Sequence, residues 1–136
     1  MAGPTAPGRA RSGALVRTLR LSGAALLLGT AVIHGHLWQQ GYAGIDVVGP
    51  AFLANTVLGL LGALLLLVAP GTWLPWAAAA GAALSAGTLM GLLLSTTVGL
   101  FGFVESTAAS LWWESFWVDV AGTVVLVALT LVSGRR

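Results

Sequence analysis

Hydrophobic positions in this chain run together in blocks. Four apolar stretches, residues 21–38, 50–69, 74–103 and 113–132, each approach or exceed the ~20 residues that cross a bilayer as a helix. The breaks between them are short. The first, Q-Q-G-Y-A-G-I-D-V-V-G-P, ends on Pro50, which suits the first turn of a helix. The second, P-G-T-W-L-P, is a tight turn flanked by Trp73 and Trp76, and the third begins at Glu105 and ends near Trp112, Trp113 and Trp117, tryptophans placed as an interfacial belt would be. The pattern predicts an all-α integral membrane four-helix bundle forming one domain over residues 21–132. The third helix reaches Phe103 if Gly99 and Gly102 do not break it. Residues 1–20 read as a disordered basic tail, since the first 13 are rich in Pro, Gly and Ala without an apolar period, and residues 133–136 as a second tail.

Charge orients the bundle. All six basic residues are arginines at the two ends (Arg9, Arg11, Arg17, Arg20, Arg135 and Arg136), whereas the acids Asp46, Glu105, Glu114 and Asp119 lie between them. Cytoplasmic segments collect Arg and Lys, so both termini are expected in the cytoplasm, with four crossings of a plasma membrane. A rival reading makes residues 9–20 the charged part of a secretory signal, residues 21–28 its apolar core and Gly29-Thr30-Ala31 its cleavage site, leaving three spans. The apolar run continues through Val32, Ile33, Leu37 and Trp38, which favours a retained helix.

Composition narrows the chemistry. With 136 residues, 57% hydrophobic and 7% charged, the chain has too few polar groups to cover a water-soluble globule, and lipid is its natural solvent. A pI near 10.6 raises nucleic acid as a partner, but arginines that flank spans without interleaved aromatics fit topology and anionic lipid better, and no nucleic-acid partner is expected. The absence of Cys excludes disulfides, thiol redox chemistry, iron–sulfur clusters and Cys-ligated zinc, and the absence of Lys excludes Schiff-base chemistry. No cofactor is expected.

Helices in lipid pack through small residues, because hydrocarbon gives apolar side chains little reason to prefer one another. Such residues recur at spacings of three and four, Gly81, Ser85, Thr88, Gly91 or Leu92, and Ser95 on the third helix and Asn55, Gly59 and Gly62 on the second, while Ser115, Asp119, Gly122, Thr123 and Thr130 form one stripe on the fourth. A faint internal repeat aligns L-L-L-G-T-A-V at 26–32 with L-L-L-S-T-T-V at 92–98, each followed in the returning helix by a polar residue, Asn55 and Asp119. Two parallel hairpins would generate it, as would chance in low-complexity sequence.

Counted from the predicted outer helix ends, His34, Asn55, Asp119 and the Ser95–Thr97 run fall at similar depth. An Asp inside a span costs roughly 2.5 to 3.5 kcal/mol on insertion scales, so Asp119 should face the bundle or a wet cavity, with His34 and Asn55 as expected partners. The group either fixes helix register or forms an outward-opening polar site for a proton, ion or small ligand. His34-Gly-His36 raises a metal site completed by Glu105, Asp46, Glu114 or Asp119, but residues two apart on a helix point about 200° from each other, so both imidazoles reach one ion only if the helix unwinds at Gly35. Bis-His haem fits less well, because both histidines lie in one short segment. Asp46, Glu105 and Glu114 read most simply as solvated outer-loop acids.

The run I-H-G-H-L-W-Q-Q-G-Y-A-G-I-D-V-V-G-P-A-F-L-A-N at 33–55, together with G-L-L-L-S-T-T-V-G-L-F-G-F-V-E at 91–105, resembles small four-span membrane proteins of actinobacteria. The resemblance rests on His34, Trp38, Gly41-Tyr42, Gly49, Phe52 and the Gly-Phe-x-Glu at 102–105, and it implies the architecture and a shared outer site. In length and span count the chain is also similar to DoxX-like proteins, without a motif that carries their redox roles. Three functions stay open. The first and preferred is a non-enzymatic accessory or interaction subunit, with a membrane-protein partner or a homo-oligomer. The second is a small transporter, channel or sensor using His34, His36, Asn55 and Asp119. The third is an outer-leaflet enzyme with His34 or His36 as general base.

Overall fold

The computed structural model describes residues 6–135 and contains four long helices: α1 (Ala6–Gln39), α2 (Val48–Val68), α3 (Leu74–Thr97) and α4 (Trp112–Gly134), with a single 3₁₀ turn, Tyr42–Gly44, between the first two. All four are long and apolar enough to cross a membrane, which makes this a multi-pass membrane protein. One end of the bundle gathers the start of α1, the α2–α3 turn and the end of α4, and is called here the arginine end. The other, the loop end, carries the 3₁₀ turn and the long α3–α4 connection.

The sequence reading left residues 1–20 as a disordered tail, and from Ala6 onward this is corrected: they form the first turns of α1. Residues 1–5 and Arg136 lie outside the described residues. The reason is a buried stripe that hydropathy overlooked. Val16, Ala24, Leu27, Ala31 and His34 are buried at helical spacing, so the inward face of α1 begins ahead of the expected span, while Arg17 lies exposed. At ~1.5 Å per residue, α1 is roughly 50 Å long against a ~30 Å hydrocarbon core, so its first turns reach well past the bilayer. Arg20 turns inward: its guanidinium donates to the Ala69 carbonyl at 3.0 Å, capping the C-terminus of α2 with a cation where the helix dipole is negative.

The third helix is shorter than the apolar run. It stops at Thr97, because Gly99 and Gly102 take positive φ (86° and 78°) and Leu100 and Phe103 exchange two backbone hydrogen bonds in a tight reversal. The chain then folds back over the helix end, where the Glu105 N–H donates to the Ser95 carbonyl at 2.8 Å. The second tail is shortened too, since α4 runs through Gly134.

Packing is uneven around the bundle. Helices α1 and α2 pair closely, as do α3 and α4; α1 and α4 join the two pairs, and α2 and α3 are the loosest neighbours. The close approach of α1 to α2 depends on Gly59, where an added Cβ would lie 2.9 Å from the Ala31 Cβ and 3.0 Å from the Leu27 carbonyl oxygen. The arginine-end half is a dry cluster centred on Leu27, Leu66, Leu126 and Leu129. Polar groups collect in the other half. The repeat-aligned residues sit in different surroundings: Asn55 bonds to Thr88, whereas the Asp119 carboxyl has no hydrogen-bond partner among the described residues.

Gly59→Leu is expected to force α1 from α2 and cost roughly 1–3 kcal/mol, as overpacking does. Gly87→Leu, whose Cβ meets nothing within 4 Å, is expected to change stability by less than about 0.5 kcal/mol. Equilibrium unfolding in mixed micelles compares the two; equal losses would remove the Gly59 contact from the account.

Candidate ligand cavity at the loop end

Each polar side chain inside the hydrocarbon must find its partner within the bundle. His34, on α1, is 7% exposed, and its Nδ1 lies 2.8 Å from the Thr30 carbonyl oxygen. A carbonyl only accepts, so Nδ1 carries the proton and Nε2 is left as an acceptor. On α3, Thr88 donates its hydroxyl proton to the Leu84 carbonyl at 2.7 Å and can then only accept, which fixes the Asn55 amide: Nδ2 donates to Thr88 Oγ1 at 2.6 Å, and Oδ1 faces Thr30. Thr30 joins the two halves at longer range, 3.3 Å from His34 Nδ1 and 3.5 Å from Asn55 Oδ1. Three helices are thereby linked about 10 Å below the loop end.

Above this network sits an aromatic lid. His34 meets Phe52 edge-on (centroids 4.7 Å apart), Phe52 stacks on Tyr42 (4.8 Å, planes 11° apart), and Tyr42 meets Phe103 edge-on at 5.8 Å. Gly49 makes the stack possible, since a Cβ there would stand 2.5 Å from the Ala43 carbonyl oxygen and 2.9 Å from that of Tyr42. The Tyr42 hydroxyl donates to Glu105 Oε2 at 2.7 Å, and the Ser106 N–H donates to Oε1 at 3.0 Å. A clasp between the first and third loops results. Burial raises the Tyr42 pKa above its ordinary value, reinforced by the hydrogen bond and by the charge of Glu105.

Between the loosely packed α2 and α3, under this lid, lies a cavity of about 410 Å³, within the range that holds small molecules. His34, Asn55, Thr88, Ser95 and Glu105 supply its polar groups, and the rest of the lining is apolar or glycine. A void of about 20 Å³, the size of one water, lies between His34, Glu105 and Ser115. Val47, Phe101 and Leu111, which border these spaces, hold positive φ of 64°, 51° and 62°. Such backbone costs about 1–3 kcal/mol at each residue and collects where function requires a particular shape.

Two of the four residues expected to converge do so. His34 and Asn55 share the network, joined by Thr30, which the sequence reading had not assigned a role. Asp119 is corrected: it is 1% exposed, has no hydrogen-bond partner among the described residues on either carboxylate oxygen, and does not line the cavity. It faces Thr30, near enough to interact but outside hydrogen-bond geometry. His36 is corrected as well, lying exposed near the end of α1, away from the cavity lining, because α1 does not unwind at Gly35. Among the described residues no three His, Asp or Glu side chains gather where one ion could be held, so His34, His36 and Glu105 form no metal cluster. Glu105, read as a solvated acid, is half-buried in the clasp, while Asp46 and Glu114 are exposed. Ser95 lines the cavity, Thr96 accepts from the Trp112 indole N–H at 3.0 Å, and Thr97 lies exposed.

Comparison with protein-family models, with curated proteins and with solved structures finds no match to this chain. Its site therefore stands on its own geometry. Tyr42, Phe52 and Phe103 were not read as chemistry in the sequence, because they lie in separate segments whose rings only the fold brings together.

The chain's one tyrosine reports on the clasp directly. Because the folded-state pKa is raised, the stability this group contributes is complete below the ordinary tyrosine value of ~10 and is lost as pH climbs beyond it. Spectroscopic titration should therefore show tyrosinate only above pH ~10 in the native protein, and at lower pH in Glu105→Ala than in the wild type. A native midpoint at the ordinary value would mean that the clasp is open.

Proposed function

We propose that this is a plasma-membrane protein, its arginine end in the cytoplasm, that holds a small and largely apolar molecule in the cavity between α2 and α3. The observation that carries the binding reading is the coincidence of a 410 Å³ cavity, a gap in helix packing and a hydrogen-bonded polar wall at one depth. Of the functions open to the sequence, this is the binding and sensing class with its residues revised: His34 and Asn55 stay, Glu105 moves in from the metal candidates, and Asp119 and His36 leave. Orientation rests on the arginines, which lie in the first turns of α1 and just after α4, while Asp46, Glu105 and Glu114 lie at the other end.

Native mass spectrometry of the full chain, extracted in a mild detergent, tests occupancy. The wild type is expected to carry a non-protein mass that Gly91→Leu, which projects a side chain into open space at the cavity wall, does not retain. A stoichiometric protein partner with no retained small molecule would return the accessory-subunit reading to first place. Orientation is tested separately by fusing reporters beyond Arg136: a fluorescent protein that matures in the cytoplasm should glow there, and a phosphatase that requires export should stay inactive. The reverse pattern would invert the topology.

A further inference from the structure

The cavity's hydrogen-bonding balance narrows what it can hold. Among the described residues, His34 Nε2 is an acceptor with no donor bonded to it, and Asn55 Oδ1 is engaged only by Thr30 at 3.5 Å. Donors are scarcer. The Thr88 proton goes to the Leu84 carbonyl, that of Ser95 to the Leu92 carbonyl at 3.0 Å, and one of the two Asn55 amide protons to Thr88. The lining contains no arginine, and Glu105 stands at its loop-end side with both oxygens already taken by Tyr42 and Ser106.

A phosphate or carboxylate would therefore meet a carboxylate and no guanidinium, in surroundings of low dielectric where such a mismatch is costly. An ammonium head would find its anion only in Glu105, at the loop-end edge of the lining, where each oxygen already accepts one hydrogen bond. An uncharged group that donates a hydrogen bond fits the acceptors on offer. The direction of access follows from the walls. Ala54, Leu58, Ala83 and Gly87 both line the cavity and are exposed on the outside of the bundle, so the mouth opens sideways between α2 and α3. Phe101 and Phe103 line its loop-end side. A molecule already dissolved in the bilayer reaches the space without crossing water.

We infer that the cavity takes an uncharged, hydroxyl-headed lipid from the loop-end leaflet, its O–H donating to His34 Nε2 and its hydrocarbon chain lying between α2 and α3. The inference rests on the reading of the cavity as a binding site, and the experiment separates the two. The full chain in detergent micelles is incubated with photoactivatable diazirine probes of one chain length and three heads: a primary alcohol, a carboxylic acid and an amine. Peptide mass spectrometry locates and quantifies the label. The alcohol should label α2 and α3 peptides saturably, at roughly tenfold lower concentration than either charged probe, the worth of about one net hydrogen bond.

His34→Phe, which keeps a ring against Phe52 and removes the acceptor, should raise the concentration at which the alcohol labels by roughly tenfold, the worth of about one net hydrogen bond. Gly87→Leu should abolish labelling while retaining native helix content and a monodisperse elution profile; Ala83→Leu provides a second block should the first alter folding. Equal labelling by the three probes, or preference for the acid or amine, overturns the hydroxyl assignment and leaves the binding site standing. Unsaturable labelling spread over all four helices overturns the binding site itself.

Discussion

Hydrocarbon offers no hydrogen-bond partner, and that constraint organises the loop-end half of this protein. Any polar side chain carried into the bilayer has to be satisfied within the same bundle, by its own helix or a neighbour, or remain unsatisfied at a cost of several kcal/mol. Thr88 satisfies its proton on its own helix and thereby becomes an acceptor; Asn55 donates to it and turns its oxygen toward Thr30; His34 gives its Nδ1 proton to the Thr30 carbonyl. Each commitment leaves the next group with one remaining option. His34, at the end of this sequence of bonds, lines the cavity.

The same constraint isolates Asp119. It is buried against Thr30, whose hydroxyl already lies between His34 and Asn55, and its carboxyl has no hydrogen-bond partner among the described residues. Most polar groups in this bundle are modest in consequence, since interhelical hydrogen bonds average only about 0.6 kcal/mol. The carboxyl of Asp119 is the expensive exception.

Stability and site are divided between the two halves. At the arginine end, leucines from α1, α2 and α4 fill a dry cluster, and Arg20 caps α2. Gly59 draws α1 and α2 together, and the α3–α4 pair is equally close. With two tight pairs joined along α1 and α4, the fourth side of the ring has the least packing, and the cavity occupies it. The strained residues Val47, Phe101 and Leu111 border the spaces at the loop end. A scaffold held at one end leaves the other free to be shaped.

The sequence by itself determined the number of helices, their approximate limits and their membrane character, because a helix crossing hydrocarbon has to satisfy its own backbone and so leaves an uninterrupted apolar run about 20 residues long. It also placed His34 and Asn55 at one depth, since rise per residue is constant within a helix. Two limits escaped it for local reasons: the buried stripe at Val16 lies among arginines that depress the hydropathy of α1, and Gly99 and Gly102 end α3 inside a run that remains apolar. The tertiary structure alone decided which polar residues meet. Depth along a helix is one coordinate; rotation about the axis and choice of neighbour are two others, and these are set by where small residues let helices approach. They turned Asp119 toward Thr30 and away from the cavity, left His36 outside, and brought Tyr42, Phe52, Phe103 and Glu105 from separate segments to cover the gap that loose packing of α2 and α3 leaves open.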